Sequence, residues 1–547
     1  MNAAVTFLKA RLRAIALIVV LILGISGLVS YNRAGQAKLE TALASPQPAV
    51  RDAAVKGLVQ NGRLVDTMIN TQNPDEDKDS VQNKRSLTLR KNAAESVNRL
   101  MTTKQITTEQ SLDALFSLCK DADVKDAAET GLATLGGQSD ANLKQIVDRL
   151  SNGDPDIRGA AVDILGKIGG LKAAAAADSV LSVPAAQDSA VSALQKIGAA
   201  SVPLIVAHLA DPATASNIAF RQQMVGLLDQ IASPESIPLL TTLSGKSDQP
   251  SVQRLAQVAL ADIVLSVYTS VQAAKDAAGK AKAEAAVPSV AGAEQTLTTV
   301  LENPNADGEA RAQAALALGR FGDGTAVKSL VTALGDFDAR VQDAAVSGVQ
   351  SAGPAAVGPL TAALNTGEVG TRAAAAQALG GIGSPEAVSA LSAAVANPAT
   401  PILVRSGAVT GLGRSGNVAV IPILVRALGD KDGTVATAAA DGLLTPGLQK
   451  EAIPALVAAF ARPTPVPFNA SDTLSRMGAL TTSDVAPALT EAITSGSVQT
   501  QTWAAVTLGT IGVKNAPVSA ALTRLATSTN PQVQYAASQA QLKLSGG

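Results

Sequence analysis

The chain is poor in the residues that do chemistry. Its 547 residues hold one histidine (His208), one cysteine (Cys119) and one tryptophan (Trp503), and aromatic residues make up 2%. One histidine and one cysteine cannot assemble a metal cluster, and a single cysteine cannot close a disulfide within the chain. The formal net charge is −1, from 44 Lys+Arg and 45 Asp+Glu. That balance leaves no basic stripe for a nucleic-acid backbone, and the rings are too few to stack on bases. No segment alternates as a strand does. What is plentiful is small or aliphatic: 47% apolar residues, 45 glycines and 26 prolines. The core must be built on aliphatic side chains, alanine above all, and the length implies several domains or a repeat array.

Near the start, Arg13 and Arg33 bracket 19 uncharged residues, AIALIVVLILGISGLVSYN. As a helix rising about 1.5 Å per residue, this run reaches roughly 28 Å, close to the hydrocarbon thickness of a bilayer. Residues 14–32 are therefore expected to form a transmembrane signal-anchor helix. Lys9, Arg11 and Arg13 precede the run, and only Arg33 and Lys38 follow closely. The excess of positive charge places residues 1–13 in the cytoplasm and the remaining chain across the membrane, in a bacterial periplasm. Cleavage as a signal peptide is the rival reading, because Ala42-Leu43-Ala44 has a small-x-small form. That site lies too far beyond Val29 for ordinary processing. No cysteine follows the apolar run, which excludes a lipid-modified lipoprotein.

Beyond it, a segment repeats. RAAAAQALGGIG (Arg372 to Gly383) reappears as RAQAALALGRFG (Arg311 to Gly322), RSGAVTGLGRSG (Arg405 to Gly416), RGAAVDILGKIG (Arg158 to Gly169) and QTWAAVTLGTIG (Gln501 to Gly512). A long polar residue opens each copy, alanine stands at offset three, leucine at offset seven, and glycine closes it at offset 11. Offsets three, seven and ten draw the stripe of an amphipathic helix. The closing glycine suits the left-handed residue past a helix end. From Gly322 the stops fall at 353, 383, 416, 447, 478 and 512, a period of 30 to 34 residues. A second helical stripe follows each stop, for example Val327/Leu330/Leu334. Pro203, Pro238, Pro359, Pro422, Pro454 and Pro487 stand near the expected starts of these second helices, where proline loses no hydrogen bond. Asp154-Pro155, Asp211-Pro212 and Asn530-Pro531 read as cap-plus-first-residue pairs. About 14 helix pairs are expected, closed by a final helix over 532–544.

This R-x-x-A-x-x-x-L-G-x-x-G pattern resembles the HEAT repeats, specifically the short bacterial kind found in phycobilin lyase subunits. The resemblance covers roughly residues 40–547. It implies an all-α, HEAT-like α-solenoid in which second helices line a concave binding face. Two interruptions divide the array. A charged loop, residues 70–85, lies between the first two repeats. The spacing between Val264 and Gly322 inserts residues 265–292, a helix-prone stretch read as a solvated helix or hinge. The first array is thus expected over 40–264 and the second over 293–547.

Several motifs imitate chemistry. Gly411-x-Gly413-x-x-Gly416 has dinucleotide-binding spacing but follows a helix rather than a strand. Gly245-Lys246-Ser247 lacks the leading glycine of a phosphate loop, since Leu240 stands there. Asn303-x-Asn305-x-Asp307-Gly308 has Ala314 where a calcium loop carries glutamate, and Asp75, Asp77 and Asp79 form only an acidic loop. His208 has no nucleophile elbow near it, and Cys119 in LFSLCKD reads as a small hydrophobe. Trp503 either closes the core or forms an exposed anchor, the core being the better reading. Asp154/Arg158 and Asp121/Lys125 are read as polar pairs that form ladders along the stack. No catalytic, cofactor or metal residue is therefore assigned, and no cofactor is expected. The expected function is a non-enzymatic, membrane-anchored scaffold binding protein partners. The alternative, implied by the resemblance alone, is a phycobilin-lyase-like chromophore-loading or modifying factor.

Overall fold

The computed structural model describes residues 38, 41–60, 81–103, 105, 106, 108–245 and 249–545. The expected transmembrane helix over 14–32, the acidic residues Asp75, Asp77 and Asp79, Gly62, Lys246 and Ser247 lie outside these residues. So does most of the charged loop 70–85. All regular structure among the described residues is helical. The chain forms two compact units, one ending at Ser236 and the other beginning at Ile237.

In the first unit, longer first helices alternate with second helices. These are α1 (Pro48–Gln60), α2 (Val81–Thr102), α3 (Thr108–Leu118), α4 (Lys125–Gln138), α5 (Asp140–Asp148), α6 (Pro155–Ile168), α7 (Gly170–Asp178), α8 (Gln187–Ile197), α9 (Val202–Ala210) and α10 (Ile218–Ile231). The first helices α1, α2, α4, α6, α8 and α10 stack in succession, and α5, α7 and α9 form a second layer beside them.

The second unit opens with α11 (Ile237–Ser244), α12 (Pro250–Ala273), α13 (Ala277–Val290) and α14 (Glu294–Glu302). Five alternating pairs follow: α15 (Gly308–Phe321) with α16 (Gly324–Ala333), α17 (Ala339–Ala352) with α18 (Val357–Thr366), α19 (Val369–Ile382) with α20 (Pro385–Ala396), α21 (Ile402–Arg414) with α22 (Ile421–Ala427), and α23 (Gly433–Leu443) with α24 (Gln449–Ala458). The unit ends with α25 (Val466–Ser495), α26 (Val498–Ile511), α27 (Ala516–Ala526) and α28 (Pro531–Ser545). Residues 265–292 supply the end of α12 and the whole of α13. The stack bypasses α13, because α12 packs directly on α15.

The local reasons recur from repeat to repeat. Before α15, the Asp307 carboxylate accepts from the N–H groups of Glu309 (3.0 Å) and Ala310 (3.4 Å), satisfying donors that a helix start leaves open. Ala314, Ala317 and Leu318 are then fully buried. Burying such a leucine contributes about 1.5–3 kcal/mol. Gly322 ends the helix at φ +65°, its N–H turned back to the Leu318 carbonyl.

Glycine at offset 11 proves to serve two ends. Gly169, Gly198, Gly322, Gly353, Gly383, Gly416 and Gly512 do take positive φ, and Ala232 takes the same position at φ 52°. Gly136 and Gly478 instead lie inside α4 and α25, where a Cβ would meet Ile168 at 2.6 Å and Ile511 at 2.6 Å. They are small because a neighbouring isoleucine occupies the space. The stop expected at Gly478 is thus absent: α25 runs on through Pro487 for 30 residues. Pro454 likewise lies within α24 rather than in its first turn.

Backbone approaches backbone most closely between helices at offset eight. A Cβ on Gly319 would stand 2.5 Å from the Cα of Gly348, one on Gly380 would stand 2.3 Å from the Cα of Gly411, and one on Gly413 would stand 2.4 Å from the Cα of Gly442. Backbone meets backbone between successive first helices, so the glycine after the leucine sets the approach more than the alanine at offset three.

Candidate binding surface

Polar side chains at the repeat junctions are consumed by architecture. The opening arginine does not pair with the aspartate four residues before it. Arg158 donates to the carbonyls of Asn152 (2.6 Å) and Gly153 (3.1 Å), while Asp154 caps α6 and pairs with Lys120 at 2.5 Å. Lys125 pairs with Asp163 at 3.0 Å, not with Asp121. The ladder reaches forward to the next repeat instead. Arg405 makes a bidentate pair with Asp430, at 2.9 and 2.8 Å, and also donates to the Thr400 carbonyl at 2.8 Å. Arg311 pairs with Asp336 and Arg90 with Asp121 in the same way. In the Asp336-x-Asp338 and Asp430-x-Asp432 turns the two carboxylates divide the work, whereas at Asp121-x-Asp123 both hold Arg90. Asp430 takes the arginine and the Asp432 N–H, and Asp432 accepts from the Thr434 N–H at the start of α23. Burial pushes the Asp430 carboxyl up, but the Arg405 guanidinium outweighs it and holds the group below the usual range.

A second ladder crosses α4, α6 and α8. Asp163 receives Lys196 at 2.5 Å and Lys125 at 3.0 Å, and Lys167 binds Asp126 at 2.6 Å and Glu129 at 2.9 Å. These partners stand 33 to 41 residues apart. That separation is why the pairs were illegible in the local sequence.

The motifs that imitate chemistry resolve into turns and packing. Gly411 and Gly413 press against the Ala376 carbonyl and Gly442, and Gly416 closes the helical turn at φ +62°. Asn303 accepts from the Asn305 N–H at 3.0 Å and Asp307 caps α15, so the calcium-like side chains are spent on the backbone. Among the described residues no group of three or more His, Cys, Asp or Glu could hold a metal ion. His208 Nε2 lies 2.7 Å from Asp178 Oδ1, joining α9 to α7, with the Phe220 ring edge-on at 5.7 Å. No hydroxyl or thiol among the described residues completes a triad with it. Burial, with a lesser contribution from Glu129, pushes the Cys119 thiol up to about 12, which keeps it unreactive. Trp503 is half-buried, its ring edge-on to Phe468 at 6.4 Å.

What remains unspent is an edge. Large apolar residues stand exposed in the first turns of four first helices: Val369 on α19, Ile402 and Leu403 on α21, Phe468 on α25 and Val498 on α26, each 43–61% exposed. Phe337, in the turn before α17, is 76% exposed, with the Arg311 guanidinium 4.5 Å over its ring. Val369, Ile402 and Val498 all fall three residues before the polar residue that opens the repeat. The repeat motif begins at that polar residue and so does not include them. Single exposed apolar residues are ordinary, but a row recurring at repeat spacing marks an interaction surface.

The exposed faces of the second helices are different. Pro359, Ala362, Ala393, Pro422, Pro454 and Ala458 are exposed there among charged residues such as Lys328, Arg426 and Lys450.

Comparison with known proteins finds family models within part of the chain. A model of HEAT repeats matches residues 333–403 and 399–471, and a model of the PBS lyase HEAT-like repeat matches residues 310–336. No curated protein sequence matches the chain. Among solved structures, human deoxyhypusine hydroxylase in complex with glycerol aligns at 19% identity over 46% of this chain and 96% of its own, with a TM-score of 0.22. Importin beta aligns at 14% identity over 97% of this chain and 84% of its own, with a TM-score of 0.30. Kap121p bound to Pho4p aligns at 12% identity over 95% and 68%, with a TM-score of 0.36. Scores this low support no inference about activity or partner. On the matched models and the helix pairs beneath them, the chain carries HEAT repeats, the PBS lyase HEAT-like repeat among them.

Proposed function

We propose that this chain is a non-enzymatic scaffold that binds other proteins along the apolar edge of its second unit. The row Val369, Ile402, Leu403, Phe468 and Val498 carries the reading, because these side chains serve no core and recur once per repeat at most junctions. An edge of this kind suits a partner that lies across several junctions, since each contact alone is small. The single histidine bound to Asp178 and the protonated, buried Cys119 support a role without nucleophilic catalysis. The uncharged run at 14–32 supports a tether to the cytoplasmic membrane, and its basic flank supports repeats facing the periplasm.

The test is site-specific photo-crosslinking in the native cell from positions 402 and 468, with position 328 on α16 as a control. A protein captured from the edge positions alone, identified, purified and rebound by the wild type but not by an I402S/L403S/F468S variant, is the expected result. Equal capture at all three positions, or binding indifferent to the triple substitution, would refute the edge. A reporter active only in the periplasm, fused to the carboxyl terminus, is expected to be active. A silent reporter in membrane-extracted protein would reverse the orientation.

A further inference from the structure

Between α21 and α23 lies a cleft of about 420 Å³, open on one side. Ser406, Thr410 and Arg414 follow one another by four along α21. Thr437, Asp441 and Thr445 do the same along the facing α23 and the residues just after it. The helices nearly touch at Gly413 and Gly442, so the cleft has a closed floor where the two rows converge.

Its side chains are unlike most helical hydroxyls in this chain. Thr130, Thr332, Thr366, Thr502 and Thr523 each donate to the carbonyl four residues back. Among the described residues, Ser406, Thr410, Thr437 and Thr445 have no side-chain hydrogen-bond partner, and Arg414 has no partner at all. Asp441 is held by Arg476 at 2.6 Å, so it adds no uncompensated charge. The cleft therefore offers four hydroxyls, each able to donate and accept, and one free guanidinium.

That inventory selects a ligand. Groups that both donate and accept are best matched by hydroxyls, whereas an apolar ligand would cover the four and leave them unpaired. One unpaired arginine matches one carboxylate, held bidentately. A phosphate monoester, carrying about −1.5 to −2, would bring more negative charge than the single guanidinium balances. An extended peptide fits less well: residues four apart on a helix recur every ~6.0 Å, while same-face groups of an extended chain recur every ~6.8 Å, so the offset reaches about 1.6 Å by the third contact. A sugar ring gathers its hydroxyls around a compact frame and needs no linear register. We propose that the α21–α23 cleft binds an acidic saccharide, its ring hydroxyls exchanging hydrogen bonds with Ser406, Thr410, Thr437 and Thr445 and its carboxylate seated on Arg414. The site is separate from the apolar edge and stands or falls independently of it.

Calorimetric titration of the full chain in detergent with trigalacturonate tests the proposal, with its methyl ester, glutarate and triglutamate as comparison ligands. Saturable binding of trigalacturonate is expected, weakened about tenfold or more by R414M and by esterification. A T410V/T437V variant, which keeps side-chain volume, is expected to weaken binding about tenfold and to leave the urea midpoint within error. All three substituted residues are exposed, so the fold is retained. Absence of saturable binding, affinity unchanged in R414M, or equal affinity for the ester would each overturn the proposal. Tighter binding of triglutamate would also overturn it, and would make the cleft a site for acidic peptides.

Discussion

At Gly380 a single hydrogen sets the distance between two helices. Any side chain there would enter the backbone of Gly411, so Gly380→Ala is expected to destabilise the second unit by about 1–3 kcal/mol, read from urea unfolding. Gly226, in the middle of α10, has open space where a Cβ would stand. Gly226→Ala is expected to stabilise by about 0.5–1 kcal/mol through helix propensity alone, and a loss there would contradict the packing described. Ala232 holds a left-handed conformation that costs an alanine about 1–2 kcal/mol, so Ala232→Gly should raise the midpoint. The motif placed Gly136 and Gly380, yet it could not sort them. Conformation and space both select glycine, and only the neighbour across the stack, Ile168 for Gly136 or Gly411 for Gly380, tells which reason applies.

At the scale of elements, the repeats are held by pairs that link one junction to the next. Arg405 and Asp430 are largely buried, so Arg405→Met would leave a carboxylate without its partner and is expected to cost about 3 kcal/mol. Because Asp430 titrates below its ordinary value, the contribution of this pair is present at neutral pH and is lost as pH falls below the 3.8 of an ordinary aspartate. Glu294, at the start of α14, behaves oppositely. Burial and the hydrogen-bonded Asp323 carboxyl before α16 push it from 4.5 to about 7, while Asp323 is held low. The folded state keeps this proton where the unfolded state has lost it. Its contribution is therefore complete below about pH 4.5 and fades as pH rises to about 7. Glu294→Gln is expected to flatten the stability profile across that window, and an unchanged slope would exclude the shared proton. Helix existence was legible from the offset-three and offset-seven stripe, since local periodicity fixes a helix. The continuous α25 was not: Gly478 stands at the offset where Gly322 ends α15, and Pro487, deep inside the helix, reads the same as a proline at a helix start.

For each unit as a whole, first helices pack on those just before and after them, so stability is a sum of intrinsic and nearest-neighbour contributions. The last helix, α28, presses Ala540 against Gly509, where a Cβ would come within 2.7 Å of its backbone, and it packs along α26. Removing residues 531–547 is expected to lower the melting temperature and cause aggregation detectable by light scattering. Hydrogen exchange in α26 should then rise sharply while α17 and α19 keep their protection; uniform loss of protection would point to all-or-none folding instead. Sequence periodicity announced the array but not its surface, because the exposed row at Val369, Ile402 and Val498 precedes the motif and carries no packing signature. An edge that offers one modest grip per junction works as a ruler. A short guest touching a single rung escapes quickly, whereas one long enough to span several is retained by their combined hold, so the number of intact rungs sets which guests stay.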